Sequence, residues 1–199
     1  MGITERKKRQ KEEVRASILT TAWNMVKEEG WQSLSIRKIA DAIEYSAPVI
    51  YDHFENKEAI LEAFATEGYQ LLAKKMKQAR EKHTDPAGQL KSMANAYWNF
   101  ALKNKAHYQL MYGVGMACCE EKKCLPEKNS YRDLIMESII RIISKSKYPD
   151  VNPCLKFHTF WSILHGLVSI RITGNATVSD ELNKLVLEDA VEGFIKNLN

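Results

Sequence analysis

An all-α fold is predicted by features spread along the whole 199-residue sequence. Apolar residues recur at steps of three and four in one segment after another, and no alternating strand pattern occurs. Proline and glycine, the strongest breakers, number only five and nine. The apolar fraction of 45% and the charged fraction of 27% belong to a globular chain with a core of its own, which excludes a disordered or low-complexity protein. The organisation expected is an N-terminal three-helix domain, residues 1–55 with a basic arm at 1–11, followed by a helical domain over residues 56–199.

The first helix is predicted from Glu12 to Glu29 on the stripe Val14, Ile18, Ala22, Met25 and Val26, with Gly30 as its stop. Ser35 is placed as an N-cap, with Leu34 and Ile39 as the partners of a hydrophobic staple, and a short helix follows with Ile36, Ile39, Ala40 and Ile43 on one side. Glu44-Tyr45 forms a tight connection. Ser46 then caps another short helix, in which Pro48 sits in the first turn, where its missing N–H costs nothing. Asn56 caps a long helix to about Lys82, with Gly68 a point where it can bend. After the break at His83–Pro86, helices are expected at about 87–103, 106–113, 127–146, 152–173 and 179–198.

Net charge is +4, but residues 1–15 hold six Lys/Arg against three Glu, while residues 1–60 hold ten of each sign. The basic signal is therefore an arm rather than a domain, and such an arm either tracks phosphates or frays into solvent. The apolar runs, such as 161–164, fall far short of the roughly 20 residues that span a bilayer. The charged N-terminus lacks the apolar stretch of a secretory signal. A cytoplasmic protein without membrane association, carrying reduced thiols at Cys118, Cys119, Cys124 and Cys154, is expected.

Two short capped helices joined by a tight turn and backed by a longer helix have the pattern of a helix-turn-helix. The stretch Leu34–Leu61, with its Ile39-Ala40 pair, its Tyr51-Asp-His-Phe54 segment and its Asn56-Lys57-Glu58 helix start, resembles the DNA-binding region of the tetracycline-repressor (TetR) family over about residues 10–64. That resemblance implies a DNA-contacting set. Arg37 would reach a phosphate or a base edge, Ala47, Pro48 and Val49, just after the cap residue Ser46 of the same set, would face the bases, and Tyr51, His53 and Lys57 would grip phosphates. Pro48 and Val49 can offer bases only apolar contact, so base readout should be sparse. Glu44 stands where the family usually has Gly in the turn, and it must adopt a conformation that Gly finds easy.

In this family the remaining helices form a ligand-sensing domain whose last two helices pair with a second subunit, so a homodimer on a double-stranded DNA operator is implied. The sequence adds its own support. The final helix carries Leu182, Leu185, Val186, Leu187, Val191, Phe194, Ile195 and Leu198, more apolar surface than one face can bury within a monomer. The segment Phe157–Val168, with Trp161, His165 and Gly166, resembles the Trp-His-Gly segment of one TetR subgroup. Tyr97, Trp98, Ala101, Met111, Tyr112, Met116, Phe157 and Trp161 are candidates to line a ligand cavity, with His165 as an orienting polar group; core packing is the alternative for each.

The cysteine spacing C-C-x4-C lacks the paired C-x2-C of a structural zinc site, so no metal and no cofactor is expected. Thiol sensing of an oxidant or electrophile through Cys118, Cys119 and Cys124 is the alternative regulatory reading, since Lys122 and Lys123 could lower a thiol pKa. A helical adaptor that binds protein through residues 128–199 and has lost DNA binding is a further alternative, which the intact Arg37, Tyr51, His53 and Lys57 set argues against; the last alternative is a cysteine-dependent enzyme. It is disfavoured because no nucleophile–base arrangement or phosphate loop is recognisable. The expectation is a ligand-responsive repressor that performs no catalysis.

Overall fold

The computed structural model describes residues 2–113, 126–174 and 179–198, and of residues 126–129 the backbone alone. These residues are helical throughout their regular structure, and they form two compact units, Met1–Ala65 and Thr66–Asn199. Met116, Cys118, Cys119 and Cys124 lie outside the described residues.

In the first unit, α1 (Ile3–Glu29) starts nine residues earlier than the apolar stripe predicts. The reason is local: residues 3–11 are good helix formers with no breaker, and the pairs Lys8–Glu12 and Arg9–Glu13 brace the helix at i,i+4 spacing. Gly30, at φ 79°, ends α1 in a conformation that suits glycine. A short 3-10 turn, Trp31–Ser33, leads to α2 (Ile36–Ala42) and α3 (Ala47–Tyr51). Ile18, Ala22 and Val26 of α1, Leu34, Ile39 and Ala40 around α2, Ile50 and Phe54 around α3, and Ile60, Leu61 and Phe64 at the start of α4 (Lys57–Arg80) are buried. Trp23 of α1 packs on Phe64 at 5.0 Å between ring centroids. Ser35 and Ser46 occupy their predicted cap positions in extended backbone, but neither side chain makes the capping bond. Asn56 does, since its Oδ1 accepts from the Ala59 N–H at 2.8 Å.

The second unit holds the rest of α4 with α5 (Pro86–Lys103), α6 (Lys105–Tyr112), α7 (Pro126–Ile143), α8 (Pro153–Thr173) and α9 (Asp180–Lys196). Asp85, Asn152 and Ser179 cap α5, α8 and α9 with side-chain hydrogen bonds. α5 is the central helix, packed against α6, α7, α8 and α9, and Leu90, Met93, Ala94, Tyr97, Trp98, Phe100 and Ala101 along it are buried. α4 runs without interruption through Gly68. A Cβ there would meet Met111 Sδ at 2.6 Å, so the glycine lets α4 and α6 approach closely.

α9 divides its apolar residues between two sides. Leu187, Val191, Phe194, Ile195 and, just beyond the helix, Leu198 are buried, whereas Leu182, Leu185 and Val186 stay 49%, 60% and 41% exposed. Leu155 and Ile170 of α8 are exposed as well. At Gly166, between them in α8, a Cβ would have no atom of the described residues within 4 Å apart from its chain neighbours and the backbone of its own helix.

Candidate nucleic-acid interface and aromatic site

The turn between α2 and α3 is closed by backbone bonds. The Glu44 N–H donates to Asp41 O at 3.2 Å and the Tyr45 N–H to Ala40 O at 2.9 Å. Glu44 is the non-glycine residue with positive φ among those described, at 59°. Left-handed backbone costs a side-chain-bearing residue about 1–2 kcal/mol. Glu44→Gly should therefore raise the melting temperature of the protein, by less than that full amount because glycine also loosens the unfolded chain. It should also tighten DNA binding at low salt by removing a carboxylate. A lower melting temperature in Glu44→Gly would contradict this account.

Arg37, Ser46, Pro48 and Tyr51 are exposed, Tyr51 at 54%, while Ala47 and Val49 are half-buried and Ile50 is fully buried behind them. α3 thus turns its apolar side inward and leaves its start open to a ligand as large as a duplex. Lys57 is partly buried, and its Nζ donates to Gln32 O at 3.4 Å, a long bond that leaves donors free for a phosphate. His53 has a buried Nδ1 without a hydrogen-bond partner. Burial first, then the positive charge of Lys11, holds its pKa below the ordinary 6.5. A neutral ring with bare Nδ1 inward keeps Nε2–H as its donor, suited to a phosphate oxygen without a formal charge on the ring. Tyr45, an exposed aromatic in the turn, was not singled out from sequence; its position beside Ser46 was the available signal.

In the second unit the structure brings together Tyr97, Tyr112, Trp161 and His165. Trp161 and His165, one helical turn apart, stack at 4.9 Å and 10°, and Tyr112 tilts against both, at 6.2 Å from Trp161 and 4.9 Å from His165. Tyr108, missed from sequence, is the centre of the polar chain. Its hydroxyl lies 2.6 Å from His165 Nδ1 and 3.1 Å from the Tyr97 hydroxyl, and His165 Nε2 lies 3.4 Å from Ser169 Oγ. Tyr108, Met111 and Tyr112 share one side of α6 at i, i+3 and i+4, which is the pattern that could have revealed Tyr108. Tyr69 and Tyr131, also missed, stack at 3° and extend the cluster, with the Tyr112 hydroxyl donating to the Tyr131 hydroxyl at 3.3 Å.

Burial pushes the Tyr108 phenol up to about 12 and raises Tyr97 and Tyr112 well above their usual range, so all three stay protonated donors at neutral pH. With His165 neutral, the chain runs in one direction or the other with its tautomer: Tyr97 to Tyr108 to His165 Nδ1 with Nε2–H donating to Ser169, or Ser169 to Nε2 with Nδ1–H donating to Tyr108 and Tyr108 to Tyr97. Among the remaining candidates, Ala101 is fully enclosed and Trp98 and Met111 are nearly so. Phe157 is buried beneath the Arg132 guanidinium, 5.6 Å from its centroid. Tyr97 and Tyr108 are fully buried, while Tyr112, Trp161 and His165 keep part of their surface open. A surface groove of about 200 Å³ between α5 and α9, lined in part by Lys91, Leu187 and Glu192, contains none of these aromatic residues.

Burial is the first cause lowering His53, His107 and His165 below 6.5. The unfolded chain therefore binds more protons than the native state once the pH falls through that value. Stability should be full above about pH 6.5 and drop between about pH 6.5 and 5, a window in which carboxylates at ordinary values scarcely titrate. Thermal melts at about pH 7.5 and 5.5 check this, and an equal or higher melting temperature at the lower pH would contradict it.

An exposed helix-turn-helix followed by a larger helical unit defines a DNA-binding regulator. Residues 18–64 match the family described as bacterial regulatory proteins, tetR family, and residues 90–193 match the tetracyclin repressor-like C-terminal domain; the chain belongs to the TetR family. It is similar to the HTH-type transcriptional activator FasR of Mycolicibacterium smegmatis (strain ATCC 700084 / mc(2)155), at 22% identity over 186 residues, 94% of this chain and 81% of that one. Its fold is similar to that of a protein of unknown function from Rhodococcus sp. RHA1, with TM-score 0.77, 21% identity, and 92% and 94% of the two chains covered. It is also similar to RolR in complex with its ligand resorcinol, with TM-score 0.65, 13% identity, and 96% and 94% covered. The family is one of regulators, not of enzymes. Among the described residues no helix is long and apolar enough to cross a membrane, and no cluster of His, Cys, Asp and Glu could hold a metal ion.

Proposed function

We propose that the chain is a cytoplasmic transcriptional repressor that binds a pseudo-palindromic operator as a homodimer and releases it when a small, mostly apolar or aromatic molecule enters the second unit. Arg37, Tyr51, His53 and Lys57 serve as phosphate or base-edge contacts, and Ser46, Ala47, Pro48 and Val49 as the base-facing start of α3. The homodimer forms through α8 and α9, whose exposed Leu155, Ile170, Leu182, Leu185 and Val186 flank the open surface at Gly166.

The observation that carries the ligand reading is the Tyr97–Tyr108–His165 chain walled by Tyr112 and Trp161. An aromatic guest displacing Tyr112 or Trp161 would exchange one ring contact for another, and a hydroxyl on it would find donors and acceptors already aligned. The likeness to a fold solved with resorcinol supports this chemistry. A ligand shifts DNA binding only through its different affinities for the two states, and linkage makes the effect reciprocal, typically about 1–3 kcal/mol. Resorcinol and related phenols, titrated into the free protein and into the protein on its DNA, provide the test. Tighter binding to the free form is expected, and equal affinities would overturn ligand control.

A further inference from the structure

We propose that the first four turns of α1 form a second DNA-binding strip, Lys7, Lys11 and Arg15, that holds the phosphate backbone outside the bases read by α3. The inference rests on the reading of this chain as a DNA-binding regulator and adds a surface outside the family match, which begins at residue 18.

Helicity from Ile3 onward creates the strip. At 100° per residue, Lys7, Lys11 and Arg15 fall within a sector of about 80°; Glu13 falls on the opposite side of the helix, and Glu5 and Glu12 lie outside the sector, about 120° and 100° from its centre. Two of the other basic residues are engaged by carboxylates, Lys8 with Glu12 at 4.0 Å and Arg9 with Glu13 at 3.5 Å. Among the described residues neither Lys7 nor Lys11 has a carboxylate within ion-pair distance. The strip's cations rise about 6 Å per step along the helix, so they present a row of positive charge to a backbone that carries one phosphate per nucleotide.

The strip is also continuous with the helix-turn-helix. The Arg15 guanidinium lies over the Phe54 ring, 4.7 Å from its centroid, and Lys11 and Arg15 both bear electrostatically on His53. Lys11 and Arg15 therefore adjoin the Tyr51–Lys57 segment on the side that carries His53, and Lys7 extends the line one turn beyond it. A run of fixed positive charge without counter-charges, ending beside phosphate-gripping residues, is complementary to a further stretch of the same duplex.

The test uses full-length protein carrying Lys7→Gln and Lys11→Gln together, with Arg15 kept because it packs on Phe54. Glutamine keeps the helix propensity of lysine, and circular dichroism confirms that the fold is retained. Duplexes selected by the wild-type protein from a random pool are remade in two lengths, one ending at the outer edges of the selected bases and one extended by about ten base pairs on each side. The wild type is expected to favour the longer duplex. The double variant should lose that advantage, about tenfold or more in affinity near 0.1 M salt, with a log–log salt slope shallower by about 3–4 for four lysines removed per dimer. Base preference should be unchanged, and Lys7→Arg with Lys11→Arg should restore the affinity. Equal slopes and no length preference, in wild type and variant alike, would overturn the strip while leaving the regulator reading intact. A wild-type protein that selects no DNA at all would overturn both.

Discussion

Replacing Leu185 with Asp is expected to leave a folded monomer whose operator affinity falls about a thousandfold. Leu185 is 60% exposed on α9, between Leu182 and Val186, so a carboxylate there costs the isolated subunit little. A two-fold interface uses the same surface on both copies, and the substitution therefore places two carboxylates where two apolar side chains would meet. Burying an unpaired charge costs several kcal/mol, and about 4 kcal/mol corresponds to a factor of about a thousand. DNA binding then falls because a monomer presents one α3 to a site built for two. Sedimentation and DNA titration of the same preparation read both effects. A Leu185→Asp protein that stays dimeric would place the interface elsewhere, and one that is monomeric yet binds DNA unchanged would remove the two-half-site requirement.

Tyr108→Phe is expected to destabilise the protein by about 2–4 kcal/mol, far more than the loss of one hydroxyl from a surface site. Its hydroxyl is shared between the Tyr97 hydroxyl and His165 Nδ1 inside the second unit, and Tyr97 and Tyr108 have no exposed surface. Removing it strands groups on both sides, each costing about 1–3 kcal/mol when left without a partner. His165→Leu removes one of the stranded groups. In that background Tyr108→Phe should cost at least 1 kcal/mol less, a coupling that a double-mutant cycle isolates. Additive costs would mean that the Tyr108–His165 contact contributes nothing net. Weakened ligand response in Tyr108→Phe would further tie the polar chain to the site proposed for phenols.

The helices and the helix-turn-helix were legible because their signals are local. Pro48 at a helix start, the Asn56 cap and the stripe Ile18, Ala22 and Val26 each depend on neighbours within a few residues. The strained turn was legible too, since Glu44 is compact with its φ of 59° only by occupying a conformation that glycine usually supplies. The beginning of α1 was not. Apolar periodicity carries no information where a helix is exposed on every side, and residues 3–11 are held by propensity and ion pairs instead. Ser35 and Ser46 marked the right positions for the wrong reason, since extended backbone and not a side-chain bond begins those helices.

The aromatic site shows the opposite limit. Trp161 and His165 stand one turn apart on α8 and were readable as a pair, but their meeting with Tyr108 and Tyr112 of α6 depends on packing between distant parts of the chain, 57 residues apart for Tyr108 and His165. Sequence spacing identifies which side chains share a helix face, and it says nothing of which faces meet. That is why Tyr108, at the hub of the polar chain, was passed over in favour of Trp98 and Met111, which belong to the surrounding core.

Selection of duplex DNA from a random-sequence pool by the wild-type protein, followed by sequencing of the bound fraction, tests the central claim most directly. The account predicts an enriched site with two inverted half-sites whose centres lie about 34–36 Å apart or at a multiple of that spacing, because two α3 helices related by a two-fold axis must meet successive major grooves. Substitution at Pro48 or Val49 should change the selected bases, and Tyr51→Ala or Lys57→Ala should weaken all sites alike. Recovery of no enriched sequence, or of a single half-site without its inverted partner, would contradict it.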